Sequence, residues 1–261
     1  MIKLIASDID GTLVEDGGHE LNPEFFDVIL KLREKGIQFA AASGRQWASI
    51  EAIFEPIKEK VFYLSDNGAY VGCYGRNLFL NPIDRATALE LIREIRKVPD
   101  LEVMAGGPDV VYVDTKDEAF VDWIENGYKF QVRRVEDVTE ITDAIIKVSA
   151  YKPHGIQKAT EGLIAQFGGR LKMTISGDMW MDAMAPGVCK GQAIRTLQEN
   201  LDIKPEETMA FGDQLNDIEM LESAYYSFAV ANAREEVKKA ARFQADSNVN
   251  CGVLKVLKQL L

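Results

Sequence analysis

The chain has 261 residues, of which 47% are hydrophobic and 27% charged, with a formal net charge of −11. That is enough apolar material for one large or two smaller globular domains, and too much for a disordered chain. The acidic balance argues against nucleic acid as a partner, which needs a basic face, but leaves room for a small anion held by a Lys, an Arg, a cation and backbone N–H groups.

Cysteine and histidine usage narrows the chemistry. Cys73, Cys189 and Cys251 are far apart and odd in number, so neither a disulfide framework nor a zinc ribbon is expected. His19 and His154 are the only two histidines, which rules out a multi-histidine metal centre. A metal here takes oxygen ligands, and that favours Mg²⁺. The apolar stretch at the N-terminus is too short for a signal peptide, and no run approaches the ~20 apolar residues of a membrane span. A cytoplasmic location with no membrane partner is the expectation.

In chain order, Ile2 to Ser7 is a short apolar run that predicts a buried strand ending at Asp8. Asn22-Pro23-Glu24 starts a helix, with Asn22 as N-cap; Phe26, Ile29, Leu30 and Leu32 lie on one side and Gly36 ends it. Ile37 to Ala42 is a second strand, followed at once by Ser43-Gly44-Arg45. A helix over Trp47 to Phe54 and a third strand over Val61 to Leu64, stopped by Asp66-Asn67-Gly68, complete a strand–helix alternation. That rhythm predicts a Rossmann-like α/β core with a parallel sheet.

The rhythm changes near Pro82. A helix is expected over Asp84 to Val98, strands over Leu101 to Ala105 and Val110 to Val113, and a helix around Phe120 to Trp123. A strand at Ala144 to Ala150 and a helix at His154 to Phe167 come next, then a hairpin of Leu171 to Ile175 and Trp180 to Met184. This is the pattern of an α+β unit with a largely antiparallel sheet. After Pro186-Gly187 the parallel rhythm returns, with helices over Gly191 to Asn200, Ile218 to Ser223 and Arg234 to Ala241, and strands over Thr208 to Gly212 and Ser227 to Val230. The expected organisation is a core of residues 1–81 plus 188–261, with residues 82–187 inserted as a cap.

Four polar stretches sit where strands end or helices begin. Ligands of open α/β sheets bind outside the carboxyl ends of the strands, so Asp8, Asp10, Ser43 and Asp213 should meet at one rim, where Lys190 can join them. Asp8 and Asp10 stand two residues apart, and two carboxylates this close need a cation or a shared proton. Gly11 then permits a sharp turn; an ordinary Asp-Gly turn would look the same locally. Ser43-Gly44-Arg45 can offer a hydroxyl and N–H groups to a phosphate oxygen, or be a plain strand-to-helix turn. In Gly212-Asp213-Gln214-Leu215-Asn216-Asp217, Asp213 suits a metal, while Asn216 or Asp217 can cap the next helix. Lys190 alone would be a solvated charge.

Taken together and in this order, these stretches resemble the haloacid dehalogenase-like superfamily in its phosphatase branch, and most closely its Cof-type sugar-phosphatase group. Ser65-Asp66-Asn67-Gly68-Ala69, Ala185-Pro186-Gly187-Val188-Cys189-Lys190-Gly191 and Val230-Ala231-Asn232-Ala233 fit the same plan. Departures are Gln214 for a smaller residue, Ala231 for Met or Gly, and Cys251 for an acidic residue before Gly252; none removes a catalytic group.

The resemblance implies an Mg²⁺-dependent phosphatase acting on a small phosphorylated metabolite such as a sugar phosphate. Asp8 would be the nucleophile that forms an aspartyl-phosphate, and Asp10 the acid/base. Mg²⁺ would be held by Asp8, the Asp10 backbone carbonyl and Asp213, with Asp217 assisting directly or through water. Ser43 and Gly44 would hold a phosphate oxygen, and Lys190 would bind Asp8 and the phosphate. Asn216 would position Lys190 or the phosphate, and Arg45 would contact the rest of the substrate. In the cap, Asp178 and Asp182 are further candidates for contact, while Met179, Trp180 and Met181 read as packing. Rival readings are a phosphomutase or phosphotransferase on the same fold, and a regulatory phosphate-binding protein without turnover; the presence of every expected group argues against the latter.

Overall fold

A computed structural model describes residues 1–15 and 17–261. These fall into two compact units, Met1–Phe79 with Cys189–Leu261, and Leu80–Val188. In the first unit, β1 (Leu4–Asp8) is buried at every position. Both its faces are covered, so its sequence shows no polar alternation. α1 (Glu24–Glu34) begins as expected, with Asn22 Oδ1 accepting the Glu24 N–H at 3.0 Å. Its buried face is Phe25, Val28, Ile29 and Leu32, the i, i+3, i+4, i+7 set. The sequence reading centred this face one residue away: Phe26 is only half-buried and Leu30 is exposed.

β2 (Gln38–Ala42), α2 (Trp47–Ile53) and β3 (Phe62–Ser65) follow where expected. Two unexpected strands come next, β4 (Tyr70–Cys73) and β5 (Arg76–Leu80). They are joined by Tyr74-Gly75, at φ 56° and 65°. Positive φ at both central positions is the geometry of a tight hairpin turn, usually signalled by Asn-Gly. A tyrosine there carries no such signal.

The second unit opens with α3 (Arg85–Ile95), whose N-cap Asp84 accepts the Thr87 N–H at 3.0 Å. Then come β6 (Glu102–Gly106), β7 (Val111–Val113), α4 (Glu118–Asn126), β8 (Val132–Arg134), β9 (Lys147–Tyr151), α5 (Ile156–Phe167), β10 (Lys172–Ser176) and β11 (Trp180–Met184). The sheet order is β10-β11-β9-β6-β7-β8, antiparallel except for the β7–β8 pair. β8 has only three residues and was not expected. α3 packs on β6 and β9, and α5 on β10 and β11. Trp180 stacks on Trp123 at 5.9 Å and pairs across strands with Tyr151, as the packing reading of Trp180 anticipates. Met181 is buried.

The chain re-enters the first unit through α6 (Lys190–Leu201), then β12 (Thr208–Gly212), α7 (Ile218–Glu222), β13 (Tyr226–Val230) and α8 (Glu235–Ala240). β14 (Phe243–Ala245) and α9 (Gly252–Lys258) complete it; neither was expected. Among the described residues the sheet runs β14-β13-β12-β1-β2-β3-β4-β5, parallel from β14 to β3. From β1 the chain passes to β2 on one side and returns as β12 on the other. The order of strands therefore reverses between β1 and β12, where open α/β sheets form a crevice at their carboxyl ends.

Candidate active site

Parallel register brings the polar stretches to one rim. Asp8 lies opposite Ala42, and Ser7 opposite Phe211, so the residues following β1, β2 and β12 emerge side by side. Asp8, Ser43, Lys190, Asp213 and Asp217 are all buried. Lys190, the first residue of α6, donates to Asp8 Oδ1 and, at 2.6 Å, to Asp217 Oδ1. Asp217 Oδ2 accepts the backbone N–H groups of Asp213 and Gln214 at 3.0 and 2.9 Å. Asp217 thus closes the turn after β12 and holds the lysine; it stands at the N-cap of the helix that begins at Ile218 but makes no side-chain capping bond to it. Asp213 receives the Thr12 hydroxyl at 2.8 Å and the Gln214 amide at 3.0 Å. Gln214, the departure noted in the sequence, is therefore a hydrogen-bond donor to the acidic cluster.

Glycine is required twice in this frame. Gly11 sits at φ +76°, and a Cβ there would lie 2.4 Å from Asp213 Oδ2. A Cβ at Gly212 would lie 2.5 Å from that of Asp217. Both let backbone approach the carboxylates more closely than a side chain allows.

Electrostatics at the rim are unbalanced. Burial raises the Asp8 carboxyl well above its usual value, and Asp217 adds to this against the pull of Lys190. Burial raises Asp213 as well, opposed by the Thr12 hydroxyl. For Lys190, burial disfavours the charge, but Asp217 and Asp8 outweigh it and its pKa lies above the ordinary lysine value. One oxygen of Asp8, Oδ2, is buried and faces no donor among the described residues. Carboxylate oxygens of Asp8, Asp213 and Asp217 lie within 4.8 Å of one another. A hard divalent cation fits this set: it would give Asp8 Oδ2 a partner and offset the excess negative charge.

A haloacid dehalogenase-like hydrolase family model matches residues 5–257. The chain belongs to that family. It is 29% identical over its full length to 5-amino-6-(5-phospho-D-ribitylamino)uracil phosphatase YbjI of Escherichia coli, covering 96% of that protein. It is 27% identical to phosphatase YwpJ of Bacillus subtilis, with both chains fully covered. Among solved structures, one from Eubacterium rectale superposes with a TM-score of 0.94 at 37% identity, over 100% of this chain and 99% of that one.

Not every side chain of this hydrolase stands where the sequence reading put it. Asn216 was expected on Lys190 or on a phosphate. Its amide instead donates to Asn67 Oδ1 at 2.9 Å, and the lysine is held by Asp8 and Asp217. Arg45 was expected to reach toward substrate. Its guanidinium instead grips Asp10, Nε to Oδ2 at 2.9 Å and Nη2 to Oδ1 at 2.5 Å. Ser43 Oγ accepts the Arg45 N–H at 3.1 Å and lies 3.4 Å from Asp10 Oδ2. Gly44 lies against Asn67, whose amide would stand 3.4 Å from a Cβ on the glycine. In the inserted unit, Asp178 accepts the Gly155 N–H at 3.0 Å, a turn role, and Asp182 accepts the Ser149 hydroxyl at 2.6 Å.

Three residues were given no role from sequence. Thr12 lay inside the Asp-Gly run but only folding puts it on Asp213. Asn232 donates to the Gly11 carbonyl at 2.7 Å, and Asn248 to the Val14 carbonyl at 3.2 Å, while the Asn248 N–H meets Asn232 Oδ1 at 3.1 Å. Together they pin the loop after β1 from the far end of the chain. A cavity of about 510 Å³ opens beside them, lined by Asp10, Gly11, Asp213 and Gln214 among others.

Proposed function

We propose that this phosphatase hydrolyses small phosphorylated metabolites in two steps on Asp8, with Mg²⁺ bound at the acidic cluster. The observation that carries the reading is Asp8 itself, buried at the switch point, with Oδ1 fixed by Lys190 and Oδ2 facing no donor among the described residues. Asp8, the Asp10 carbonyl and Asp213 would hold the cation, with Asp217 directly or through water. Bound there, the cation supplies neutralising charge for the nucleophile and the phosphoryl oxygens.

The protein's own groups do the rest. Asp8 attacks phosphorus as the ester O–P bond breaks, and the leaving oxygen takes a proton from Asp10. Water then gives a proton to Asp10 as its oxygen attacks phosphorus and the bond to Asp8 breaks, releasing phosphate. Asp10 so ends as it began. Lys190 keeps the Asp8 carboxylate oriented, and the Ser43 hydroxyl and Gly44 N–H bind a phosphoryl oxygen. Asn216 would position Lys190 or the phosphate by exchanging its bond to Asn67 for one of these. The inserted unit, residues 82–187, would supply the contacts that select the substrate.

Phosphate release from a panel of phosphomonoesters, with Mg²⁺ and with chelator, tests this. The panel should include sugar phosphates and, because YbjI is named for it, 5-amino-6-(5-phospho-D-ribitylamino)uracil. Steady release that needs Mg²⁺ is expected, and kcat/KM ranks the substrates; transfer to a sugar without net phosphate would point to a mutase. Asp8→Asn should abolish turnover while keeping the wild-type circular dichroism. Substantial activity in that variant would sink the mechanism.

A further inference from the structure

Whereas Asp8 and Asp217 pair with the buried lysine, Asp10 pairs with an arginine, Arg45. Its carboxylate meets Arg45 side-on, with two N–H groups of one planar fork on its two oxygens. The pair is mostly shielded, at 12% side-chain exposure for Arg45 and 26% for Asp10. Gly17 N–H adds a third donor to Oδ1 at 3.1 Å.

The arginine is itself fixed at both ends. Its N–H is held by Ser43 Oγ, and its carbonyl accepts the Asp66 N–H at 2.9 Å. Beyond the pair with Asp10, Nη2 also donates to the Gly18 carbonyl at 2.7 Å, and Nη1 lies 3.2 Å from His19 Nδ1. A guanidinium has five N–H groups. Four of them are directed here at Asp10, Gly18 and His19, so most of the fork is committed to Asp10 and the segment beside it. Such a two-point fork sets a carboxylate's rotamer as well as its position, which a lysine's single ammonium does not do.

We propose that Arg45 is a positioning residue that acts through Asp10: it fixes the rotamer of that carboxylate and ties it to the Gly17–His19 segment. This rests on the reading of Asp10 as the acid/base group. A proton-transfer group contributes only while it stands within hydrogen-bond reach of the oxygen it serves, so its orientation bears on turnover more than on binding. Arg45 then belongs to kcat, and a substrate contact would belong to KM.

The test is a double-mutant cycle of Arg45→Ala and Asp10→Asn, with Arg45→Lys beside it, using p-nitrophenyl phosphate and Mg²⁺. Arg45→Ala should lower kcat by about tenfold or more, the scale on which acid/base positioning acts, with KM changed by less than about threefold. Arg45→Lys should recover only part of that loss. With Asn at position 10, the further change Arg45→Ala should cost less than about twofold, since residues that act as a unit are not additive. Single turnovers with enzyme in excess read the same cycle if steady rates are too slow, and Arg45→Lys carries the cycle if the alanine variant does not fold. A rise in KM at unchanged kcat, or an equal loss in both backgrounds, overturns the proposal in favour of a substrate contact. Near-normal turnover of Asp10→Asn alone would instead overturn the acid/base reading, a distinguishable outcome.

Discussion

Lys190 shows how a single residue sets the state of the site. Its ammonium is almost fully buried between Asp8 and Asp217, so it is the local compensation for two desolvated carboxylates. Removing one partner from such a group leaves the others uncompensated, typically at a cost of about 3–5 kcal/mol. Lys190→Met should therefore lose about that much in urea unfolding without metal, and should lose turnover as well. A loss under about 1 kcal/mol would show that the carboxylates relax by taking up protons instead. In sequence this lysine was an ordinary charge; its weight came from standing in order with Asp8, Ser43 and Asp213. Arg45 shows the opposite case. Its presence near a strand end was legible, but not its partner. Asp10 lies thirty-five positions away, and only the adjacency of β1 and β2 joins them.

Among the elements, those with a strong period or a long apolar run were legible, and the short ones were not. β1, β2, β3 and β12 carry continuous buried runs, so strand ends and the polar residues after them could be placed to within a residue or two. β8 and β14 have three residues each, too few to show a period, and are held by pairing with β7 and β13. α9 starts after Cys251 at φ 52°, a conformation with no sequence signal in a cysteine. Close approach of elements is a further matter. A Cβ at Gly191 would lie 2.3 Å from the Glu219 carbonyl oxygen, so α6 and α7 touch backbone to backbone. Gly191→Ala should cost about 1–3 kcal/mol, as overpacking does, and because Lys190 is the neighbouring residue it should also reduce turnover. Thermal unfolding and phosphate release measured on one preparation check both; unchanged values would mean that the two helices separate freely.

Across the whole molecule, the raised carboxyls of Asp8 and Asp213 link stability to pH and to metal. Their folded-state values lie above the ordinary carboxylate value, so the folded state binds more protons than the unfolded one. From these two groups, stability falls as pH rises from about 4 through the folded values, and the penalty stays in place above them. A cation bound to the ionised carboxylates removes that penalty and adds its own binding energy. The gain in Tm on adding Mg²⁺ should thus be small near pH 4.5 and larger near pH 7.5 (both about half a unit wide), measured as the difference between paired scans with and without metal so that other titrating groups cancel. An equal gain at both pH values would dissociate the metal from these carboxylates. Lys190→Met should enlarge the gain at neutral pH, since it deepens the charge imbalance the cation corrects.

The opening run of the chain marks where the two kinds of information divide. Local residue order was enough for the alternation of strands and helices, the change of rhythm near Pro82 and its reversal near Gly187, and the presence of carboxylates at strand ends. These depend on periodicity and on turn chemistry, which act over a few neighbours. Pairings across the chain that the sequence did not carry were decided by the packed sheet: Thr12 on Asp213, Asn232 on Gly11, Lys190 on Asp217, and Arg45 on Asp10. The partners lie between 27 and 221 positions apart. Hydrogen bonds of that kind depend on strand order and register, which follow from burying the whole core at once.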